Sequence, residues 1–438
     1  MVLSFIFKME TSFSGFYKKS LEERLTLIKN FSSLSDEEIA QLKQYAAMGF
    51  ETADRMAENV IGTQQLPLGI ATNFCINGEE KIIPMAIEEP SVIAAASKAA
   101  SIAKETGGFK AESSPPIMIG QIQLVKVEDT GKAESEIGNN SNELVDLANQ
   151  ADPVLVKFGG GAKKVETHTI DTPKGKMVIV HLLVDVRDAM GANAVNTMCE
   201  KIAPKLEEIT GGESRLKIIS NLAVYRTSKA KATFGKKALE QSFKQGNMKG
   251  EEIVEHILDA YHFAANDEYR ACTHNKGIMN GIDALAIACG QDWRAIEAGA
   301  HAFASLKGKY TTLTKYSKDP EGNLVGEIEM PIAVGLVGGA VKTSPTAKTC
   351  VKMLNVKTAS ELGEIMACLG LAQNFAAMRA LATEGIQKGH MRLHAKNIAV
   401  MAGAKGKQID QIAARMAEEK NVRVDRAKEL LEGKQWQE

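Results

Sequence analysis

Hydrophobic and polar positions change their period several times along the chain. After Ser35-Asp36-Glu37-Glu38, which has the form of a capping box, apolar residues recur at Ile39, Leu42 and Ala46, the spacing of one helix face. A short apolar run, Ile82, Ile83, Met85 and Ile87, gives way at Glu88-Glu89-Pro90-Ser91 to an alanine-rich helical segment over residues 91–104, which Thr106-Gly107-Gly108 ends. Pro90 suits the first turn of that helix, where its missing amide hydrogen has no partner to lose. Alternation at period two follows over 120–127 and 164–170, and 177–186 is a strongly apolar strand. Helical patterns at 141–150 and 194–209 and a strand at 215–220 complete the order β-α-β-β-α-β, the ferredoxin-like or split βαβ arrangement.

Beyond Val224 helical spacing dominates again, as in 250–265 and 293–304, broken by a hairpin-like stretch at 310–330 that turns at Asp319-Pro320-Glu321-Gly322. The pattern predicts an α+β protein: a large helix-rich domain interrupted by an inserted ferredoxin-like domain, with a helical tail. The boundaries fall at 1–114, 115–222, 223–384 and 385–438, the last ending in a charged helix at 424–433.

Composition narrows the class. With 438 residues, 44% of them hydrophobic, the chain can bury the cores of two to three domains. Lys plus Arg number 53 against 54 Asp plus Glu, so no cationic excess exists to neutralise a phosphate backbone, and nucleic acid is not an expected partner. The most apolar stretch, 82–103, is interrupted by Glu88, Glu89, Pro90 and Lys98, so no membrane span is expected. Six cysteines lie far apart without CxxC pairs and read as reduced thiols of a cytoplasmic protein. The opening MVLSFIFK is a poor signal peptide, and Met9 is an alternative start.

Three clusters could carry chemistry. In Glu88-Glu89-Pro90-Ser91, a partly desolvated carboxyl would have a raised pKa and could donate a proton near neutrality; capping of the following helix is the competing reading. The stretch Tyr269 to Gly281 gathers Arg270, His274, Asn275, Lys276 and Asn280, with Asp292 further on. Its lysine could stabilise an oxyanion and its arginine could clamp a carboxylate, against the alternative of a polar surface loop. In Gly389-His390-Met391-Arg392-Leu393-His394 two histidines share a helix face, yet no acid or third ligand accompanies them, so an acid/base histidine or plain packing is preferred to a metal site and no metal is expected. The triplet Gly159 to Gly161 and the cluster Gly335 to Gly339 fit neither a Rossmann fingerprint nor a P-loop. Asp188-Ala189-Met190-Gly191-Ala192-Asn193, between a buried strand and a helix N-terminus, suits a phosphate.

Together these segments resemble class II 3-hydroxy-3-methylglutaryl-coenzyme A (HMG-CoA) reductases, the soluble bacterial and archaeal type. The matching pieces are Glu58-Asn59-Val60-Ile61-Gly62, Glu88 to Ser91, Asp188 to Asn193, His274 to Gly281, Gly335 to Gly339, and Leu381 to Gly385 running into Gly389-His390-Met391. The resemblance implies that the inserted domain binds the nicotinamide cofactor, that the tail is a C-terminal flap, and that HMG-CoA and mevalonate plus CoA are interconverted by two hydride transfers. It assigns Lys276 to the thioester oxygen, Glu89 to proton donation, Asp292 to a position between them, and His390 to the departing CoA thiolate. It places Ser91, Arg270, Asn280 and Asn221 around the hydroxymethylglutaryl group, and Asp188, Met190, Gly191, Ala192 and Asn193 at the cofactor. Asp152 falls where an acid accepts hydrogen bonds from the ribose hydroxyls and repels a 2′-phosphate, which favours NAD(H) over NADP(H). A homodimer with the active site at the subunit interface is expected, with a trimer of dimers as a larger assembly.

Overall fold

The computed structural model describes residues 11–13, 15–44, 48–243, 248–383 and 386–433, and their side chains apart from those at 340, 342 and 386–393. In chain order its strands are β1 (Leu68–Ile76), β2 (Glu79–Ala86), β3 (Phe109–Ser113), β4 (Ile117–Val125), β5 (Gly161–Thr172), β6 (Gly175–Asp185), β7 (Glu213–Ser220), β8 (Thr227–Phe234), β9 (Thr314–Lys318) and β10 (Leu324–Pro331). They make two sheets, one of order β2-β1-β3-β8-β10-β9 and one of order β5-β6-β4-β7.

The six-stranded sheet packs one face on the Ala359–Ala382 helix, 15 of whose 24 residues are buried. This helix is long and apolar enough to cross a membrane by length and composition, and 67% of that apolar window is buried inside the protein. It is a longer apolar segment than 82–103, because its charged residues sit toward its ends, at Glu361, Glu364 and Arg379. Phe375 on the helix stacks on Phe234 of β8, and burying two such side chains contributes about 1.5–3 kcal/mol each. The Glu268–Ala288 helix lies against the same central helix. An added Cβ at Gly281 would come within 3.1–3.3 Å of Gln373 and Leu369, so the missing side chain sets how closely these two helices approach.

Strand β8 departs from the helical reading of the chain after Val224. Before Phe234, its inward positions are the small residues Ser228, Ala230 and Ala232, and they must be small. The central helix comes so near that a Cβ at Gly363 would meet Ser228 Oγ at 2.6 Å. A strand in which most buried residues are threonine, serine and alanine alternates too weakly in hydropathy to stand out.

The four-stranded sheet is antiparallel throughout, and its order is the ferredoxin-like one expected from the sequence. The Ala192–Thr210 helix covers one face so closely that a Cβ at Gly120 would lie 2.3 Å from Cys199 Sγ. Between β4 and β5 there are three short helices instead of one: Thr130–Asn139, Ser141–Asn149 and Pro153–Lys157. Asp129, which accepts from Lys132 N at 2.9 Å, starts the first of them. Where the chain passes into and out of this sheet, the two connections are stitched side by side. Ser114 N donates to Thr227 O at 2.9 Å, Ser114 Oγ donates to Tyr225 O at 2.9 Å and Thr227 N donates to Ser114 Oγ at 2.8 Å.

At the C-terminal end, helices Ile386–Met401, Lys407–Glu418 and Val424–Glu432 share a small core of their own, including Ala395, Ile412, Met416 and Leu430.

Candidate active site

The capping reading of Glu88 and Glu89 does not hold. The helix they precede begins at Val92, one residue later than expected, and Pro90 sits in the turn before it. No acid stands in its first turn, and its N-cap, Ser91, makes no side-chain cap. Ser91 adopts a left-handed conformation (φ 76°), which costs a non-glycine residue about 1–3 kcal/mol. Its hydroxyl is buried without a partner among the described residues. Glu89 instead reaches Lys276, 187 residues away, with Oε2 3.1 Å from Nζ. The pair is too exposed, 60% at the lysine and 35% at the glutamate, to add more than about 1 kcal/mol of stability.

Lys276 lies on the Glu268–Ala288 helix, so the Tyr269–Gly281 stretch is not a loop. The helix sorts its polar residues. Asn275 turns into the core, where its amide donates to Tyr310 Oη and Thr311 O, each at 2.9 Å, and its Oδ1 accepts from Leu313 N at 3.0 Å. His274 is also buried, 2.6 Å from Thr314 Oγ1 through Nε2. Desolvation, with Arg270 adding to it, pushes the pKa of His274 down to about 3, so it is a neutral core residue. Arg270 is half-buried, its guanidinium 3.8 Å from Met378 Sδ, and burial lowers its pKa. Lys276 and Asn280 are one turn apart on a common face. Asp283 continues that face, and the residue pattern at i, i+4 and i+7 was the signal for it. Its Oδ1 is buried without a partner, while burial and a hydrogen bond with Glu297 push its pKa up to about 8.

Among the described residues Asp292 makes no hydrogen bond or ion pair with Glu89 or Lys276. It caps the Trp293–Ala304 helix through Oδ1, which accepts from Ala295 N at 3.1 Å and lies 3.1 Å from Arg294. Lys276 lies twelve residues before the end of its helix at Ala288, about 18 Å along the axis at 1.5 Å per residue, and Asp292 follows four residues after that end. Of the three residues expected to form a network, the structure pairs Glu89 with Lys276.

Asp292 stands instead beside the 188–193 loop. Its neighbour Gln291 clamps Gly335 from both sides, accepting from Gly335 N at 2.8 Å and donating to Gly335 O at 2.9 Å. Gly335 packs on Met190, so closely that a Cβ there would be 2.5 Å from Met190 N. Asn221 belongs to the same end of the molecule, its carbonyl lying 2.6 Å from where a Cβ on Gly299 would be.

The loop itself is held from behind. Asp188 O accepts from Leu336 N at 2.8 Å, and Asp188 Oδ1 accepts from Ala359 N at 2.8 Å, at the start of the central helix. Arg226, which belongs to no motif, is buried and donates to Ala189 O at 3.0 Å, Met190 O at 3.2 Å and Val334 O. Burial lowers its pKa to about 10, still above neutrality. With these carbonyls turned inward, Gly191 (φ 106°) leads into the Ala192–Thr210 helix without any side-chain cap, and the first amides of that helix remain open. A residue with a Cβ at 191 would strike Val186 at 2.6 Å. Asn193 is exposed, and Met190 and Ala192 are half-buried. Asp152 caps the Pro153–Lys157 helix with Oδ1, which accepts from Leu155 N at 2.9 Å.

His390 lies in the Ile386–Met401 helix, and its side chain is outside the described residues; His394 is exposed. Among the described residues no three His, Cys, Asp or Glu side chains gather as a metal site.

The family model for hydroxymethylglutaryl-coenzyme A reductase matches residues 20–395. The chain belongs to the HMG-CoA reductase family. It is 56% identical to the 3-hydroxy-3-methylglutaryl-coenzyme A reductase of Archaeoglobus fulgidus over 97% of this chain and 95% of that one. A probable HMG-CoA reductase of Borreliella burgdorferi is 36% identical, with 89% and 87% covered. Among solved structures, the class II HMG-CoA reductase of Streptococcus pneumoniae bound to NADPH in open conformations superposes with a TM-score of 0.80 at 42% identity, covering 95% of this chain and 99% of that one. The pieces quoted from Glu58 to Gly385 are thus family segments, and the α+β fold is that of the class II enzymes.

Proposed function

We propose that this HMG-CoA reductase works at a site completed between two chains, the Glu89–Lys276 face of one meeting the Asp292 and 188–193 face of the other. The observation that carries the reading is that Lys276 pairs with Glu89, while Asp292 is engaged by Arg294 and the start of its own helix, beside the 188–193 loop. A two-fold dimer brings such remote faces together twice. Ile61, fully exposed within the Glu58–Gly62 segment, is an apolar side chain suited to burial in that contact. Residues 115–222 form the cofactor-binding domain, inserted into a large domain of 1–114 and 223–384, and 385–438 form the flap.

The open amides after Gly191 and the inward-turned carbonyls of Ala189 and Met190 suit an anionic pyrophosphate, so the residues present fit a dinucleotide. When bound, the nicotinamide supplies hydride. Lys276 donates a hydrogen bond to the thioester oxygen and stabilises the negative charge developing there, first toward the mevaldyl-CoA hemithioacetal and then as mevaldehyde is reduced to mevalonate. Glu89, in contact with Lys276, donates the proton in the second reduction. Asp292 of the second chain holds Lys276 charged. His390 protonates the CoA thiolate as it leaves. Arg270 pairs with the free carboxylate of the hydroxymethylglutaryl group, with Ser91, Asn280 and Asn221 orienting the rest. The unpartnered, buried hydroxyl of Ser91, held in a strained backbone, supports its share of that role. Asp152 keeps Oδ2 for a ribose hydroxyl and repels a 2′-phosphate, which favours NADH, although the S. pneumoniae relative was solved with NADPH.

Mixing two inactive variants, Lys276→Ala and Asp292→Ala, tests the shared site. Random re-pairing of dimers restores about a quarter of the wild-type sites if the two residues come from different chains, and none if they act within one. Steady-state rates with NADH and NADPH in both directions measure the cofactor preference, which Asp152→Ala should erase.

A further inference from the structure

We infer that the outer face of the six-stranded sheet carries a second binding site, remote from the reductase chemistry, for a small amphipathic anion: an apolar body with a phosphate-like head. A cavity of about 630 Å³, within the range of ligand sites, lies where the segment after the Trp293–Ala304 helix arches over strands β3, β8, β10 and β9. None of its lining residues is among those assigned above to substrate or cofactor.

The register of the strands fixes its charges. One row across the sheet reads Lys110, Lys231, Glu327, Lys315. Lys110 and Lys231 stand directly opposite each other, an arrangement that destabilises a strand pair. Glu327 forms an ion pair with Lys231 at 2.7 Å, and Lys307 adds another cation from the overarching segment. Among the described residues Lys110, Lys307 and Lys315 have no acidic partner. The next row reads Glu112, Lys229, Glu329, with Lys229 3.4 Å from Glu329, so the positive charge is confined to one end of the cavity. An anion placed there would relieve the Lys110–Lys231 repulsion. The rest of the lining is apolar: Phe303 is half-buried, Leu306 is 52% exposed and Leu313 forms part of the wall. A charged head alone would leave that surface wet, and a neutral apolar molecule would leave the lysines uncompensated. Charge and shape together therefore select an amphipathic anion.

Calorimetric titration of the full chain with octyl phosphate, neutral octyl glucoside and inorganic phosphate tests the inference, using wild type and the double variant Lys307→Glu/Lys315→Glu. The site predicts saturable binding of one octyl phosphate per chain, weakening as salt rises, at least tenfold weaker in the variant and at least tenfold tighter than either control ligand. HMG-CoA reduction should be the same in both proteins, so a failure here is distinguishable from a failure of the proposed reductase site. No saturable binding, equal affinity in the variant, or equal affinity for inorganic phosphate overturns it. A change of oligomeric state in the variant would also overturn it, since the face would then be covered by a second copy of the chain.

Discussion

Gly335→Ala places one methyl group where the structure has no room for it. The new Cβ would lie 2.5 Å from Met190 N and 3.0 Å from Ala189 C, so about 0.9 Å must open before the contact becomes ordinary. Residue 335 cannot retreat, because Gln291 holds both its amide and its carbonyl. On the other side, Arg226 holds the carbonyls of Ala189 and Met190, while Leu336 N holds that of Asp188. Of the two, the 188–193 loop has one open flank, toward the uncapped start of the Ala192–Thr210 helix, and is the side that yields. Overpacking of this size costs about 1–3 kcal/mol. If that cost appears in cofactor binding, KM for the nicotinamide nucleotide rises roughly five- to 150-fold at 1.4 kcal/mol per factor of ten. The assay is the initial rate of nucleotide oxidation at saturating HMG-CoA, with KM for HMG-CoA measured alongside and a thermal melt of both proteins. A cofactor KM within twofold of wild type, with an unchanged melting temperature, would refute the argument that this contact shapes the loop.

Three further outcomes follow from the same geometry. Gly120→Ala, whose Cβ would meet Cys199 Sγ at 2.3 Å and Val195 at 2.7 Å, should lower stability by about 1–3 kcal/mol in urea titration, as its helix is pushed from its sheet. Asp283 has its folded pKa raised to about 8, so the folded protein holds a proton there that the unfolded chain releases above the ordinary carboxylate range. The stability this lends is complete below about pH 4 and declines as pH rises toward 8; Asp283→Asn should flatten that decline in melts from pH 4 to 9, and an unchanged slope would contradict it. Glu89→Gln should lower kcat by about 10²–10⁴-fold with little change in melting temperature, because the charge lost serves proton transfer and an exposed ion pair adds little stability.

Much of this architecture was legible because its signals are local. The capping box at Ser35 forms as written, with Ser35 Oγ accepting from Glu38 N at 3.2 Å and Glu38 Oε2 accepting from Ser35 N at 2.7 Å. The turn at Asp319–Gly322 does join two strands, β9 and β10, and the ferredoxin-like order follows from alternating runs that the sheet uses directly. What stayed hidden depends on neighbours distant in sequence. Strand β8 carries serine and alanine at 228, 230 and 232 because the central helix lies against it, and its lysines face away. The Glu268–Ala288 helix passes for a loop because its polar residues serve three surroundings, the core at His274 and Asn275, the half-buried flank at Arg270 and the open face at Lys276. Arg226 has no motif, since its work is to bind backbone carbonyls contributed by two other segments. Asp292 could be matched by motif, yet only the structure shows that it caps the Trp293–Ala304 helix and faces Arg294.

The central claim is that Lys276 stabilises the oxyanion during HMG-CoA reduction. The direct measurement is the yield of mevalonate and oxidised nucleotide from HMG-CoA for wild type and Lys276→Met, with melting temperatures in parallel. Wild type should oxidise two nucleotides for each mevalonate formed. The variant, still folded because only a half-exposed ion pair is lost, should turn over at least about 10²-fold more slowly. Wild-type turnover in a folded Lys276→Met protein would contradict the account.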